Sequence, residues 1–445
     1  MKKEFLELMK CPYCGTDFKI DNIYDEKEDE IITGTIRCEC NEYPVLSSIL
    51  YLKMGATKEY ILNCLRAGKA RRATATSLLK GIDDILRVAA FLGTKGLFGR
   101  QLKRFLLALL GIAANRSYRK YANSNLPFFD VLGNSGYETY LKHRFSAESL
   151  WSVYPFVPLL KENKGRILDL CCGTGHASFI ISQYVSPEEL VCVDHTFSSL
   201  YLNKKYFAKD AQFICLDANY PLPFKQNTFG SVLMLDAFHY IHARALLARQ
   251  MEHVLSSDGL LLLLHLHIPS SPNITAGEPL SPEVWANLFQ KIKIKALPES
   301  TVVEHFLLEG RLDLATEYSD DELSSSTALI IVGNKGDSIS RIFERVWDAL
   351  LNNKSHLIIS PIYKIKRERN SAILDRGSPS NSFWEEFPLA QRHLPQRYVI
   401  GGELGKIIQG RALKSMLESI PPEDLKHIED LMKRFVIINV PPEYL

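Results

Sequence analysis

Long hydrophobic runs are scarce in this chain of 445 residues. Its unbroken apolar stretches, such as residues 105–110 and 260–264, are far shorter than the roughly 20 residues that a membrane-spanning helix needs. The N-terminus also lacks the continuous apolar core of a secretory signal, because Glu4, Glu7 and Lys10 interrupt it. We therefore expect a soluble, cytoplasmic protein without a transmembrane segment.

Cysteine is limited to nine residues, an odd number, and two of them, Cys171 and Cys172, are adjacent. This pattern argues against a disulfide framework and is typical of a reducing compartment. Apolar residues make up 46% of the chain, enough to bury a core, so global disorder is excluded. At about 150 residues per domain, the length suggests roughly three domains.

The overall charge is nearly balanced, with a formal net charge of +2, but the charges are unevenly distributed. Residues 1–57 contain 7 basic and 11 acidic side chains, and residues 151–445 contain 30 and 34. Residues 58–150 contain 16 basic and 6 acidic side chains. A strongly basic stretch between two mildly acidic flanks indicates a separate unit in the middle of the chain.

Two kinds of periodicity follow each other along the chain. From residue 58 to about residue 123, apolar and basic residues recur at helical spacing, which predicts several helices. From residue 165, short apolar runs alternate with segments of helical character. This alternation predicts an α/β fold with a doubly wound, mostly parallel, Rossmann-like sheet. The predicted strands are RILDL, ELVCVD, AQFICLD, SVLMLDA, GLLLLLHL and TALIIVGN.

We divide the chain into four parts on these patterns. Residues 1–54 form a small cysteine-containing module, and residues 55–150 form a basic helical lid or linker. Residues 151–335 form the α/β domain, and residues 336–445 form an α+β extension of unknown role. Within the extension, HLIISPIYKIKRERNSAILDRGSPSNSFWEEFPL suggests a pair of strands and a loop. ALKSMLESI and the segment that follows it suggest two helices and a strand.

Four cysteines lie in two short pairs near the N-terminus. Two residues separate Cys11 from Cys14, one separates Cys38 from Cys40, and Gly15 permits the chain to turn back after the first pair. Zinc prefers four ligands in a tetrahedron, and each pair can supply two thiolates. Because the segment has few apolar residues, we predict that these four cysteines hold a structural zinc ion. The alternative is four reduced thiols without a metal.

The residues around these cysteines resemble a known family. FLELMKCPYCG at residues 5–15 and RCECNEYPV at residues 37–45 are similar to the small zinc-ribbon proteins that activate methyltransferases. The resemblance implies a docking and stabilising platform rather than a catalyst. Residues 47–50 read Ser-Ser-Ile-Leu, where that family usually continues with Asp-Gly-Ile-Pro.

A glycine-rich turn follows the first strand of the α/β domain. Asp169 ends that strand, and Gly173 and Gly175 let the backbone pass close to a ligand. Asp194 ends the second strand, where a carboxylate can accept hydrogen bonds from a ribose diol, and His195 follows it. The spacing of these residues predicts a nucleotide-type cofactor at the ends of the strands.

The third and fourth strands also end in acids, Asp217-Ala218 and Asp236, and the first pair can meet an adenine edge. The whole series resembles the class I S-adenosylmethionine-dependent methyltransferases over residues 165–335. Cys171 stands where the first glycine of the family's Asp-x-Gly-x-Gly-x-Gly turn is usual, a variant that also occurs in the quinone-biosynthesis branch. The resemblance implies S-adenosylmethionine as cofactor, bound by Asp169, Cys171, Gly173, Gly175, Asp194, His195, Asp217, Ala218 and Asp236.

Two other interpretations of this turn are weaker. A nicotinamide-dependent dehydrogenase would carry G-x-G-x-x-G, but His176-Ala-Ser follows Gly175, so the third glycine is absent. A metal-binding or covalent role for Cys171 and Cys172 is also disfavoured against two small side chains packed in a turn.

Methyl transfer requires the two reacting centres to be held close and, for some acceptors, a proton to be removed. The base should lie near the ends of the fourth and fifth strands, where His239, His265 and His267 occur. We predict that His239 or His267 acts as base or orients the acceptor, because an unperturbed pKa of about 6.5 suits proton transfer. The alternative, a histidine hydrogen-bonded in a helix-sheet seam, is favoured for His265. Tyr240 and Asp236 are secondary candidates.

The basic helical segment allows three interpretations. We favour a lid over the substrate cleft, with the charges solvated. Nucleic-acid binding through phosphate contacts is possible but not favoured. The third is peripheral membrane contact by an interfacial helix around residues 101–115. Its inserted side chains would be Phe105, Leu106, Leu109, Leu110 and Ile112.

Together these patterns predict an enzyme that methylates an oxygen or nitrogen, or less readily a carbon, of a small molecule, lipid or peptide. The alternatives are an RNA methyltransferase, or a cofactor-binding scaffold protein without turnover.

Overall fold

Eighteen strands are present in the described residues of the computed structural model, and eleven of them form one sheet. The described residues are 1–133, 138–270, 277–336, 339–352, 356–369, 371–401, 404–405 and 422–445. The strands are β1 (Lys19–Lys27), β2 (Glu30–Arg37), β3 (Glu42–Leu46), β4 (Ile49–Tyr51), β5 (Ile167–Leu170), β6 (Leu190–Asp194), β7 (Gln212–Cys215), β8 (Phe229–Leu235), β9 (Leu255–Leu266), β10 (Lys293–Pro298), β11 (Leu312–Asp313), β12 (Leu329–Asn334), β13 (Ile342–Phe343), β14 (Leu357–Ile359), β15 (Tyr363–Glu368), β16 (Ser371–Arg376), β17 (Arg397–Gly401) and β18 (Ile437–Asn439).

Helices lie between many of these strands from the end of β4 onward. The helices are α1 (Ala56–Arg66), α2 (Ala70–Ser77), α3 (Asp83–Leu92), α4 (Gly96–Tyr121), α5 (Phe128–Leu132), α6 (Glu138–His143), α7 (Glu148–Trp151), α8 (Val157–Glu162), α9 (His176–Ser182), α10 (Phe197–Leu202), α11 (Arg244–Val254), α12 (Pro282–Asn287), α13 (Glu299–Glu309), α14 (Asp320–Ser325), α15 (Asp348–Leu351), α16 (Asn381–Glu386), α17 (Pro388–His393) and α18 (Pro422–Lys433).

The central part of the large sheet is mostly parallel. Its seven strands between residues 167 and 334 have the order β7-β6-β5-β8-β9-β12-β10, and only the last two pairings are antiparallel. Both faces are covered, since the neighbouring residues Ile167 and Leu168 of β5 belong to two different core clusters. Strands buried on both faces read as continuous apolar runs. The prediction of a doubly wound, mostly parallel α/β sheet is confirmed.

The N-terminal segment extends the same sheet. Strands β1 to β4 form an antiparallel meander, and β4 pairs in parallel with β7, so that Leu50 faces Ile214. Met9 and Tyr43 of this segment are buried in one core cluster with Phe224 of the α/β part. The segment has few apolar residues because it shares a core rather than building its own.

The predicted helices between residues 58 and 123 are present as α1 to α4. Arg72 of α2 binds two of its neighbours, donating from Nε to the Tyr60 hydroxyl (2.8 Å) and from Nη2 to the Leu107 carbonyl of α4 (2.8 Å). Leu110, one of the residues suggested for membrane insertion, is instead buried on the packed face of α4. Among the described residues, no helix combines the length and the apolar character needed to cross a membrane.

The C-terminal part contains more elements than predicted, since α16 lies in the segment predicted as a loop and α17 and β17 follow it. Where a pair of strands was predicted, three strands occur, β14, β15 and β16, because the apolar run that includes 357–359 pairs separately with β18. The predicted final helix and strand are present as α18 and β18. The other predicted helix, ALKSMLESI, lies outside the described residues. Strand β10 was missed, because KIKALP at a half-exposed sheet edge has little apolar character.

Candidate cofactor cleft and cysteine cluster

A cavity of about 780 Å³ opens at the carboxyl ends of β5, β6, β7 and β8. Each strand contributes the residues that directly follow it, because the ends of parallel strands meet at one edge of the sheet. Seven of the residues predicted to bind a cofactor line this cavity. They are Cys171, Gly173, Asp194, His195, Asp217, Ala218 and Asp236.

The glycine-rich turn after β5 depends on left-handed backbone. Gly173 has φ 54° and Gly175 has φ 103°, and Cys171 also lies in this region with φ 60°. A Cβ on Gly175 would lie 2.2 Å from Oδ1 of Asn203, whereas a Cβ on Gly173 would meet no atom within 4 Å. Gly175 therefore makes the turn without lining the cavity, and Gly173 leaves open space beside it.

Asp194 holds the turn in place from the end of β6. Its Oδ2 accepts the Gly173 backbone N–H (3.0 Å) and its Oδ1 accepts that of Thr196 (2.7 Å). The neighbouring His195 is mostly exposed. After β7, Oδ1 of Asp217 accepts the Asn219 backbone N–H (2.9 Å). Each carboxylate oxygen has two lone pairs, so both acids can still accept hydrogen bonds from a ligand.

Asp169 lies deeper, under a second cavity of about 180 Å³ that Cys171, Gly173 and Asp236 also line. Its side chain is fully buried; Oδ2 accepts the Ser178 hydroxyl (2.5 Å), and Oδ1 has no hydrogen-bond partner among the described residues. Burial raises the pKa of Asp169 to about 7. A buried acceptor without a donor is a position where a cationic or hydroxyl-bearing ligand group would be stabilised.

Asp236 lies at the junction of the two cavities and is held by the basic helical segment. Its Oδ2 accepts the Tyr140 hydroxyl (2.9 Å) and lies 3.1 Å from Nη1 of Arg144, which also contacts that hydroxyl. Burial alone would raise the pKa of Asp236, but the positive charges of His265 and Arg144 hold it below its usual value. Asp236 is therefore an anion at neutral pH.

Tyr140 and Arg144 were not predicted as site residues. They are more than 90 positions before Asp236 in the sequence and belong to no recognisable motif.

The histidines predicted as catalytic lie behind Asp236 rather than in the cavity wall. Nε2 of His239 and Nε2 of His267 are each 3.8 Å from Asp236 Oδ1, and the two rings stack with centroids 3.9 Å apart. They are 1% and 6% exposed. Burial, with His267 alongside, lowers the pKa of His239 to about 3.

The other two candidates near Asp236 differ from this pair. For His265 we favoured a hydrogen-bonded histidine in a helix-sheet seam over a catalytic role. It has such a buried partner, since its Nδ1 lies 2.6 Å from Oε2 of Glu299. Tyr240 lines the large cavity and is 42% exposed.

The four N-terminal cysteines come together at the turn between β2 and β3, which carries Cys38 and Cys40. Their Sγ atoms all lie within 4.8 Å of one another, including 3.7 Å from Cys11 to Cys40 and 3.5 Å from Cys38 to Cys40. A tetrahedron with Zn–S bonds of about 2.3 Å has S···S distances of about 3.8 Å. The cluster therefore has the ligand number and spacing of a four-thiolate zinc site, with Cys14 as the fourth member.

The central part of the chain is similar to known proteins. A family model described as a methyltransferase domain matches residues 168–263, from β5 into β9. Residues 168–263 are therefore similar to a methyltransferase domain. The matched residues include the turn after β5 and all three acids of the large cavity.

Two other proteins are similar to this part of the chain. Demethylmenaquinone methyltransferase of Thermotoga maritima is 27% identical over 131 residues, which are 29% of this chain and 56% of that protein. Mitochondrial arginine-hydroxylase NDUFAF5 of Danio rerio is 37% identical over 95 residues, which are 21% of this chain and 29% of that protein. The chain therefore spans about half of the first protein and less than a third of the second.

A solved structure of a methyltransferase is also similar. It is an S-adenosylmethionine-dependent methyltransferase from Thermotoga maritima, described as a possible histamine N-methyltransferase. Its sequence identity is 17%, the match covers 44% of this chain and 92% of that one, and the TM-score is 0.31.

Proposed function

We propose that this protein is an S-adenosylmethionine-dependent methyltransferase whose cofactor binds in the large cavity. The observation that supports this most directly is that Asp194, Asp217 and Asp236, all within the matched residues, line the same cavity. Three carboxylates around an open cavity favour a ligand that carries positive charge and hydroxyl groups. A sulfonium nucleoside with an amino-acid tail has both.

The residues present fit that cofactor part by part. Asp194 would accept hydrogen bonds from the ribose hydroxyls, and Asp217 with Ala218 would border the adenine. Gly173 leaves room for the ligand beside the turn, and the unpartnered Oδ1 of Asp169 would accept a hydrogen bond from the amino-acid end. The cofactor supplies an electrophilic methyl group on a positively charged sulfur.

Asp236 is the residue through which this chain would act on the methyl acceptor. It is anionic, borders both cavities, and can accept the hydrogen of an acceptor hydroxyl or amine so that the lone pair faces the methyl group. Nε2 of His239 and Nε2 of His267 each lie 3.8 Å from its Oδ1. We propose that the pair orients Asp236, since their burial keeps them out of the cavity wall.

The proposed acceptor belongs to the classes that the sequence suggested, an oxygen or nitrogen, or less readily a carbon, of a small molecule, lipid or peptide. The relative that methylates demethylmenaquinone favours a lipid-soluble acceptor. The arginine-hydroxylase relative shows that a similar domain occurs in a protein named for other chemistry.

We further propose that Cys11, Cys14, Cys38 and Cys40 bind a structural zinc ion. Four thiolates fill a tetrahedral site, so the metal would have no open position for catalysis. Its role would be to fix the N-terminal strands on the sheet edge beside β7, as expected for a stabilising platform.

The function is tested by transfer of a labelled methyl group. The purified chain is incubated with methyl-labelled S-adenosylmethionine and separate lipid, small-molecule, peptide and RNA fractions. We expect label in one of the first three fractions, and about 100-fold less with Asp236→Asn. Asp258→Asn, at an exposed site of β9, is the matched control and should keep full activity.

Label confined to RNA would support the RNA methyltransferase alternative. Binding of the cofactor without transfer to any fraction would support the scaffold protein. Either result would contradict the proposed acceptor class.

A further inference from the structure

The helical hairpin formed by α3 and α4 exposes an unusual amount of apolar surface. Of the 21 large apolar side chains that are exposed in the described residues, nine lie between residues 85 and 112. Phe98 and Leu97, at the tip of the hairpin, are the most exposed of all, at 80% and 76%. The nine are Ile85, Val88, Phe91, Leu97, Phe98, Leu102, Phe105, Leu109 and Ile112.

On α4 these side chains form one stripe. Residues 98, 102, 105, 109 and 112 recur every three or four positions, which places them on one side of a helix, over a length of about 21 Å. The residues by which α4 packs, such as Gly99, Leu110 and Ala114, lie roughly 100–160° around the helix from the stripe. The stripe therefore faces away from the body of the protein.

Apart from Asp83 and Asp84 in the first turn of α3, the charged residues of the hairpin are all basic. No Asp or Glu occurs from residue 85 to residue 129, whereas eight Lys and Arg residues do. Six of the eight are exposed. Arg116, Arg119 and Lys120 lie within about 60° of the stripe around the helix, and the basic residues at 100, 103 and 104 lie about 120–160° from it. The eight are Arg87, Lys95, Arg100, Lys103, Arg104, Arg116, Arg119 and Lys120.

This combination selects between three kinds of partner. A second copy of the chain would bring two basic surfaces together, without the acidic residues that flank the seam of a stable helix pair. A nucleic acid would bind the basic side chains but leave Phe98 and Phe105 in water. A bilayer with anionic lipids accommodates both, because apolar side chains enter the acyl boundary while Lys and Arg meet lipid phosphates.

We propose that the α3–α4 hairpin docks on an anionic phospholipid bilayer, lying in the interface rather than crossing it. A third cavity, of about 300 Å³, lies at the base of the hairpin and is lined by residues 79–83. It shares His195 and Thr196 with the large cavity. Docking by the hairpin would thus bring the cleft to a membrane surface. The proposal depends on the hairpin surface and not on methyl transfer.

Vesicle flotation tests this with the full chain and without cofactor. We expect the native protein to float with vesicles of phosphatidylcholine mixed with phosphatidylglycerol, and not with phosphatidylcholine alone. Binding should weaken as salt is raised. The double variant Phe98→Ser/Phe105→Ser should bind at least about tenfold less, because two exposed aromatic anchors are removed. Leu308→Ser, at a residue that is 70% exposed on α13, is the matched control and should bind as the native chain does.

Three results would overturn the proposal. The first is a native chain that does not float with the anionic vesicles. The second is a double variant that floats as the native chain does while its melting temperature is unchanged. The third is a result in which the anionic vesicles bind neither the native chain nor the double variant, and another partner takes their place. That partner would be RNA that retains the native chain, or a second copy of the chain in a dimer that the double variant abolishes.

Discussion

The cluster around Asp236 and the cluster of four cysteines both bring ionisable groups close together, but they differ in what balances the charge. Around Asp236 the counter-charges are side chains, since Arg144 lies 3.1 Å from one carboxylate oxygen and His265 pairs with Glu299 at 2.6 Å. Around the cysteines, the partners that contact Sγ atoms in the described part of the chain are hydroxyl, amide and backbone groups.

This difference indicates which cluster needs a metal. Asp236, His265 and His267 also have ligand atoms within 4.8 Å of one another, yet a cation there would face the positive charges of Arg144 and His265. Four thiolates that no cationic side chain of the described residues contacts directly repel one another unless a cation binds between them. We therefore expect zinc at the cysteines and none at Asp236.

The largest expected effect comes from removing the zinc ion that we expect between the four cysteines. Cys11→Ser should lose about one zinc per chain and lower the free energy of unfolding by about 5 kcal/mol, because metal binding and folding of the N-terminal segment are coupled. Zinc content and urea denaturation measure both. Cys64→Ser, at another buried cysteine, should keep its zinc. Equal zinc content in native chain and Cys11→Ser would disprove the metal site.

Removing the positive charge of Arg144, the side chain that balances Asp236, should have a slightly smaller effect on stability. Arg144→Met leaves the buried Asp236 carboxylate without its ion pair, which costs about 3–5 kcal/mol. Arg87→Met removes an exposed pair with Asp83 and should cost less than about 1 kcal/mol. Urea denaturation of both variants tests this, and equal losses would show that Arg144 does not balance Asp236.

The pH dependence of stability tests the other cation of this cluster. Burial would lower the pKa of His265, but Glu299 raises it to about 9. Its stabilisation is therefore complete below the unfolded pKa of about 6.5 and is lost as pH rises to about 9, by an amount of the order of 3 kcal/mol.

His265→Asn is the variant for this measurement, because asparagine tolerates the left-handed φ of 56° at this position. Its unfolding free energy should fall less between pH 6.5 and pH 9 than that of the native chain. Asp169, whose pKa burial raises to about 7, titrates in the same range in both proteins. Burial raises the pKa of Glu148 to about 8 against the charge of His265, so the variant raises the pKa of Glu148 further. Parallel curves for the two proteins would contradict the assignment.

The smallest effect is expected from the neutral partner of Asp236. Tyr140→Phe removes one hydroxyl donor while Arg144 stays, so the unfolding free energy should fall by about 1–2 kcal/mol. Tyr24→Phe, at an exposed position of β1, should change it by less than about 0.5 kcal/mol. A loss with Tyr140→Phe as large as with Arg144→Met would mean that hydrogen bonding, rather than charge, stabilises the cluster.

Much of the cleft could be predicted because its residues follow strands that are close in sequence. Asp169, Asp194 and Asp217 each end a short apolar run, and such runs are read directly from the sequence as strands. The four cysteines were equally visible, because two short pairs need only one close approach of the chain. Both predictions depend on local pattern and on one general property of parallel sheets.

The partners of Asp236 could not be found in this way. Tyr140 reaches it from a helix 96 residues earlier, and Tyr444, near the end of the chain, is buried against His176 in the same region. Such contacts depend on how whole elements pack, which no local spacing encodes. The burial of His239 and His267 has the same origin, since their sequence places them at the strand ends but not in the cavity wall.

The central claim is that the large cavity binds S-adenosylmethionine, and equilibrium dialysis with the labelled cofactor tests it most directly. We predict one bound molecule per native chain, no displacement by NAD, and at least about tenfold weaker binding by Asp194→Asn, which loses acceptors for the turn and the ribose. No retention by the folded native chain, or displacement by NAD, would contradict the account.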